Sequence, residues 1–265
     1  MPAHNKLGAV VALIAIGLSA SLGLAWPARD VSLYGLTFTL SGKMLLGLIL
    51  FGLTCTGADM IVRGHPKIQP QQLHLTFLHW ILPAALTTIA WALLAWPGSL
   101  ANKIIGVMVT GGLLALLISA EYYTVDLTER WRVAVQFSLR LMAYLLAALL
   151  YTTIHLSISA GLSATIAVAM VGGVLSLKLL CDNECPLQRI WPYVLSIGAL
   201  LGVMSWLLSL RTASPLLHSL VLAVLLYVLT GIARQFLLGK LTRRVALEYL
   251  LVGAFSLLLL HFYAR

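Results

Sequence analysis

Only eight of the 265 residues are acidic, so every carboxylate beside a long apolar run is a candidate for chemistry. Asp59 and Arg63 stand four apart and therefore share a helix face, where they can pair. Glu121 and Asp126 follow the inner end of the fourth apolar run, Arg140 lies about two turns into the fifth, and Glu248 sits just inside the ninth. Counting runs from the N-terminus brings these six residues to one membrane surface. Together they form the candidate ligand-binding set, a polar pocket in which Arg140 meets a carboxylate or an anionic ligand. The competing reading is structural: Asp59 and Arg63 as a local salt bridge, Glu121, Asp126 and Glu248 as helix-end markers, and Arg140 snorkelling to the interface.

Other constellations carry less. His65, His74 and His79 fall on the same side as the charges, and His155, His218 and His261 on the other, with no pair at metal-type spacing on one helix. Neither a metal nor any other cofactor is expected. Cys181-Asp182-Asn183-Glu184-Cys185 holds two thiols beside two carboxylates, yet a closed zinc site needs four ligands and a second half is missing. On the inner side of a membrane these thiols are expected to stay reduced. The chain lacks a Gly-x-Ser-x-Gly elbow, a His-Glu-x-x-His helix, a Walker loop and an Asp-x-x-x-Asp magnesium site. That inventory leans against an enzyme.

The elements that must position these groups are membrane helices. Mean hydropathy is +0.99, 61% of residues are hydrophobic and 9% are charged. Nine runs near the roughly 20 residues needed to cross a bilayer lie at 7–25, 41–62, 77–96, 103–120, 133–154, 160–180, 191–209, 213–237 and 245–262. Lipid offers no partner to backbone amides, and the runs lack strict alternation, so the expected fold is an all-α polytopic bundle, a single domain over 1–265, and not a β-barrel. With the N-terminus inside, the inner segments hold eleven basic residues (Lys6, Arg63, Lys67, Arg130, Arg132, Lys178, Arg189, Arg234, Lys240, Arg243, Arg244) and the outer ones five (Arg29, Lys43, Lys103, Arg211, Arg265). The expectation is therefore N-in, C-out in the cytoplasmic membrane. Membrane lipids and other membrane proteins are the expected partners. The formal charge of +9 reads as topology signal and headgroup attraction, and no nucleic-acid partner is expected.

Residues 1–25 also resemble a secretory signal ending in Gly23-Leu24-Ala25. Leu36 to Ser41 alternates as a short extended flap would, or forms a plain interfacial loop. Gly111-Gly112 recurs as Gly172-Gly173, a candidate internal repeat against which stands the general frequency of small pairs in membrane helices. Trp26, Trp96, Trp131, Trp191, Tyr193 and Tyr263 stand near run ends as interfacial anchors.

Three stretches, Gly57-Ala58-Asp59-Met60-Ile61-Val62-Arg63-Gly64-His65-Pro66, His79-Trp80-Ile81-Leu82-Pro83 and Ala120-Glu121-Tyr122-Tyr123-Thr124-Val125-Asp126, resemble segments of a bacterial family of multi-span proteins defined as a domain of unknown function. Ser214-Pro215-Leu216 and Tyr227-Val228-Leu229-Thr230-Gly231 extend the resemblance over most of the chain. It implies membrane residence and transfers no site roles. The functional expectation is a membrane protein that binds or passes a small amphipathic or anionic ligand. An assembly subunit and an embedded lipid-modifying enzyme are the alternatives.

Overall fold

The computed structural model describes residues 2–23, 29–33, 36–65, 70–124, 129–158, 161–181, 187–210, 214–240 and 242–263. These fold as α1 (Pro2–Gly23), a hairpin of β1 (Arg29–Leu33) and β2 (Leu36–Leu40), α2 (Gly42–Arg63), a 3-10 segment (Pro70–His79), α3 (Ile81–Leu94), α4 (Leu100–Tyr123), α5 (Glu129–Ser157), α6 (Leu162–Leu180), α7 (Leu187–Ser209), α8 (Pro215–Leu237) and α9 (Arg243–Tyr263). Seven of these helices are long and apolar enough to cross a membrane. Three begin on a serine whose hydroxyl accepts an otherwise orphaned backbone N–H: Ser41 from Met44, Ser99 from Asn102 and Ser214 from Leu217. At the other end of α8, Gly239 takes φ 65°, and Lys240 N–H returns to the Gln235 carbonyl, a left-handed turn that stops the helix.

The structure takes the extended alternative at 36–41 and departs from the sequence expectation at the third run. The alternating stretch at 36–41 is a strand over Leu36–Leu40, and it pairs antiparallel with Arg29–Leu33, Val31 opposite Phe38. The third run is not one uniform span. Its α-helix has 14 residues, about 21 Å at 1.5 Å per residue, against a hydrocarbon core of about 30 Å. Pro83 contributes the reason: it has no N–H to give the His79 carbonyl and its ring crowds that oxygen, which favours a helix that begins within one turn of Pro83, and the chain before it winds as 3-10 instead. Ten of the residues of α3 are buried, so this helix is packed mostly in protein.

The long helices show the opposite pattern. Val133, Phe137, Leu141, Leu145 and Leu149 of α5 are all exposed at four-residue steps, as are Leu162, Ile166, Met170 and Val174 of α6. Continuous apolar stripes of this kind are not tolerated in water and are what a bilayer covers.

Packing divides the chain into two compact units, Met1–Gln136 and Phe137–Arg265. In the first, Val10, Ile14 and Leu18 of α1 are buried at four-residue steps, and a bond between Thr54 and Thr87 (3.0 Å) ties α2 to α3. In the second, Tyr144 bonds Thr230 (3.0 Å) and Thr152 bonds Ser219 (2.6 Å), tying α5 to α8. The tightest pair there is α6 with α7, where Gly198 and Gly202 form a Gly-x-x-x-Gly face on Ala169 and Gly173. The two Gly-Gly pairs of the candidate repeat pack differently, since a Cβ at Gly172 would stand 2.6 Å from Leu201 while one at the equivalent Gly111 would only touch Val11 at 3.7 Å.

A Cβ at Gly198 would stand 2.7 Å from the Ala169 carbonyl oxygen, and backbone cannot step aside cheaply. Gly198→Ala is expected to destabilise by about 1–3 kcal/mol. Gly112→Ala, with nothing within 4 Å, should be neutral or gain up to about 1 kcal/mol from helix propensity. Thermal unfolding of the two variants side by side in detergent checks the contrast.

Candidate functional site

The polar residues of the first unit gather where α2 ends, α4 ends and the 3-10 segment lies between them. Asp59 and Arg63, one turn apart on α2, pair as expected, Arg63 Nε lying 2.8 Å from Asp59 Oδ2. Thr76, on the 3-10 segment, completes the set: its hydroxyl donates to Asp59 Oδ1 at 2.7 Å and accepts from Arg63 Nε at 3.2 Å. Thr76 is 2% exposed, whereas the Arg63 side chain is 52% exposed. One side of this triad is thus fixed by protein, and its other side is open.

One turn further along the same segment, His79 Nδ1 lies 2.6 Å from Glu121 Oε2 of α4. Both groups are sequestered, with side-chain exposures of 13% and 1%. A carboxylate so deep is tolerable only with a partner, and the imidazole supplies one. Beside this pair, the His65 ring packs edge-on against Tyr122 with centroids 4.6 Å apart. Trp80 follows His79, and its indole N–H is buried with no acceptor among the described residues. Chemically, the arrangement holds one cation by its inner edge and keeps a carboxyl-imidazole couple that can pass a proton between its two members.

Of the six candidate residues, Asp59, Arg63 and Glu121 lie in this unit, and Asp126 lies outside the described residues. Arg140 and Glu248 belong to the second unit. Arg140 is half-buried on α5 and engaged, while Glu248 is exposed on α9. Its neighbour Tyr249 packs with Tyr227 at 5.6 Å, and Tyr227 with Tyr144 at 5.5 Å, a tyrosine cluster with no obvious sequence signal.

Sequence reasoning passed over His79 and Thr76 as site residues. His79 was legible, because counting runs puts the start of the third and the end of the fourth on one side. Thr76 was not, since one threonine among many carries no mark. A further correction concerns the cysteines: Cys181, expected as a thiol, is disulfide-bonded, and the free cysteine among the described residues is Cys55. The expectation rested on compartment alone, and thiols near in sequence can reach each other whatever side they occupy. The rest of that cluster, Asp182 to Cys185, lies outside the described residues.

A family model described as "Protein of unknown function (DUF5656)" matches residues 25–263. No curated protein and no solved structure matches the chain.

Removing one partner of a buried pair leaves the other desolvated and alone. His79→Ala is therefore expected to lower stability by about 3 kcal/mol or more. The double variant His79→Leu with Glu121→Leu should recover most of that loss. A double-mutant cycle of His79→Leu, Glu121→Leu and the pair on thermal unfolding checks both, and single losses that simply add in the double variant would mean that the two groups do not act as a pair.

Proposed function

Given that the chain belongs to the DUF5656 family, whose description assigns no activity, we propose that it is a multi-pass membrane protein that binds or carries a small anionic or amphipathic ligand. The observation behind this reading is the posture of Arg63. Asp59 and Thr76 hold it at Nε, and its two terminal amino groups have no partner among the described residues. A guanidinium fixed at its inner edge presents its remaining donors as a fork matched to a carboxylate or phosphate. Because the side chain is already held, little rotamer entropy is left to lose on binding. The proposed site draws on Asp59, Arg63 and Glu121, with Thr76 and His79 as positioning residues, and makes no use of Arg140 or Glu248.

We read both units as one membrane-embedded domain, N-in and C-out in a cytoplasmic membrane, on the eleven-to-five division of basic residues. Lipid covers the exposed apolar stripes. The disulfide at Cys181 favours the opposite sidedness, since disulfides persist in oxidising compartments. A second functional reading, an assembly subunit, is favoured by the pairing of Asp59 with Arg63 and of His79 with Glu121 inside the chain.

Two measurements bear on these readings. Short-chain phosphatidylglycerol should raise the melting temperature of the detergent-solubilised protein more than its phosphatidylcholine counterpart does. Arg63→Gln should weaken that response about 10- to 100-fold in concentration, the worth of a lost charge-assisted hydrogen bond. An unchanged response in the variant would remove the ligand site from Arg63, and stoichiometric co-purifying proteins would favour the subunit. For sidedness, a reporter fused to the C-terminus is expected to be active only outside the cytoplasm, and cytoplasmic activity would reverse the topology.

A further inference from the structure

Two imidazoles meet in the second unit. His155 stands in the last turn of α5 and His218 in the first turn of α8, with ring centroids 5.7 Å apart and planes at 67°. On each ring Nε2 is closed off from solvent and has no hydrogen-bond partner among the described residues. Leaving such a nitrogen unpaired costs about 1–3 kcal/mol, and a ring-edge contact returns only about 0.5–1.5 kcal/mol without satisfying it. The nearest hydroxyls in sequence are already committed. Thr152 and Ser219 bond each other at 2.6 Å, one hydroxyl donating to the other and the acceptor donating in turn to a backbone carbonyl of its own helix, so both protons are used. Two buried orphans side by side on different helices call for an occupant that the described residues do not supply.

We propose that His155 and His218 form a two-imidazole site for one monovalent d10 metal ion, of which Cu(I) is the biological representative. Imidazole nitrogen is a ligand for zinc, copper, iron and nickel, so the nitrogens alone do not choose among them. Charge and ligand number do. Among the described residues no three of His, Cys, Asp and Glu gather, so the pair offers two neutral donors with no carboxylate or thiolate beside them. Structural zinc takes four ligands. The cost of moving an ion out of water grows as the square of its charge, so a dication held by neutral ligands alone pays about four times what a monocation pays. Cu(I) accepts two-coordination, which a d10 ion without geometric preference allows. The site stands apart from the anion-binding reading, in the other unit and on different residues.

The test titrates Cu(I), under anaerobic reducing conditions and against a chromophoric chelator, into the full-length protein in nanodiscs. The expected result is one equivalent withdrawn from the chelator. His155→Phe and His218→Phe should each weaken it at least tenfold, and Cys55→Ala, which removes a thiol outside both proposed sites, should leave it unchanged. Where either variant fails to fold by circular dichroism, copper-edge X-ray absorption on the unmodified protein replaces it and should report two imidazole nitrogens and no sulfur. Failure to withdraw copper, retention by both folded variants, sulfur ligation, or preferential loading of Zn(II) over Cu(I) would each overturn the proposal.

Discussion

Hydrocarbon has no hydrogen bonds to offer, and that constraint organises the molecule from its backbone to its side chains. Helices satisfy their own amides, leaving side chains as the remaining debtors. Hydroxyls inside the spans return to carbonyls three or four residues back, as Thr87 does to Pro83 and Thr152 to Ala148. Those at helix contacts also reach across, Thr54 to Thr87 and Tyr144 to Thr230. Each such bond is worth about 0.6–2 kcal/mol in a membrane. Their positions matter more than their sum, because a mis-rotated helix would leave the hydroxyl facing lipid.

Shape follows from the same constraint at the short helix. A 14-residue α3 could not reach across a bilayer as a bare rod, and it is not asked to, because α1, α2 and α4 surround it. The 3-10 segment ahead of it makes up length and does something a regular helix would not. Its three-residue turn sets Thr76 and His79 on one line, so one short element reaches both Asp59 on α2 and Glu121 on α4. Pro83, by favouring a late start for α3, is thus an indirect author of the site.

Much of this was legible from residue order. Apolar run length located the long helices to within a few residues, because bilayer thickness sets a single length that composition cannot hide. The Asp59–Arg63 pair was legible because four-residue spacing is local. What escaped was whatever needs two elements at once. The β1–β2 pairing depends on register, the Glu121–His79 bond joins residues 42 apart in sequence, and the meeting of His155 with His218 is set by how α5 leans on α8. The small-residue face of α6 and α7 lies between these cases: its glycines are visible in the sequence, but only the contact of Gly198 with Ala169 tells a packing glycine from an idle one such as Gly112.

The two candidate sites divide by electrostatics. In the first unit a guanidinium is balanced by Asp59, and a carboxyl by an imidazole, so the region stays near neutral while keeping one cationic fork half in water. That design suits an anion, which meets a charge already held in place and displaces little of its support. In the second unit His155 and His218 bring no formal charge and no carboxylate neighbour among the described residues. Such a place repels ions of high charge through solvation alone and retains donors for a soft one. On the two proposals, opposite kinds of ligand would be sorted by how much charge the surrounding helices have already cancelled.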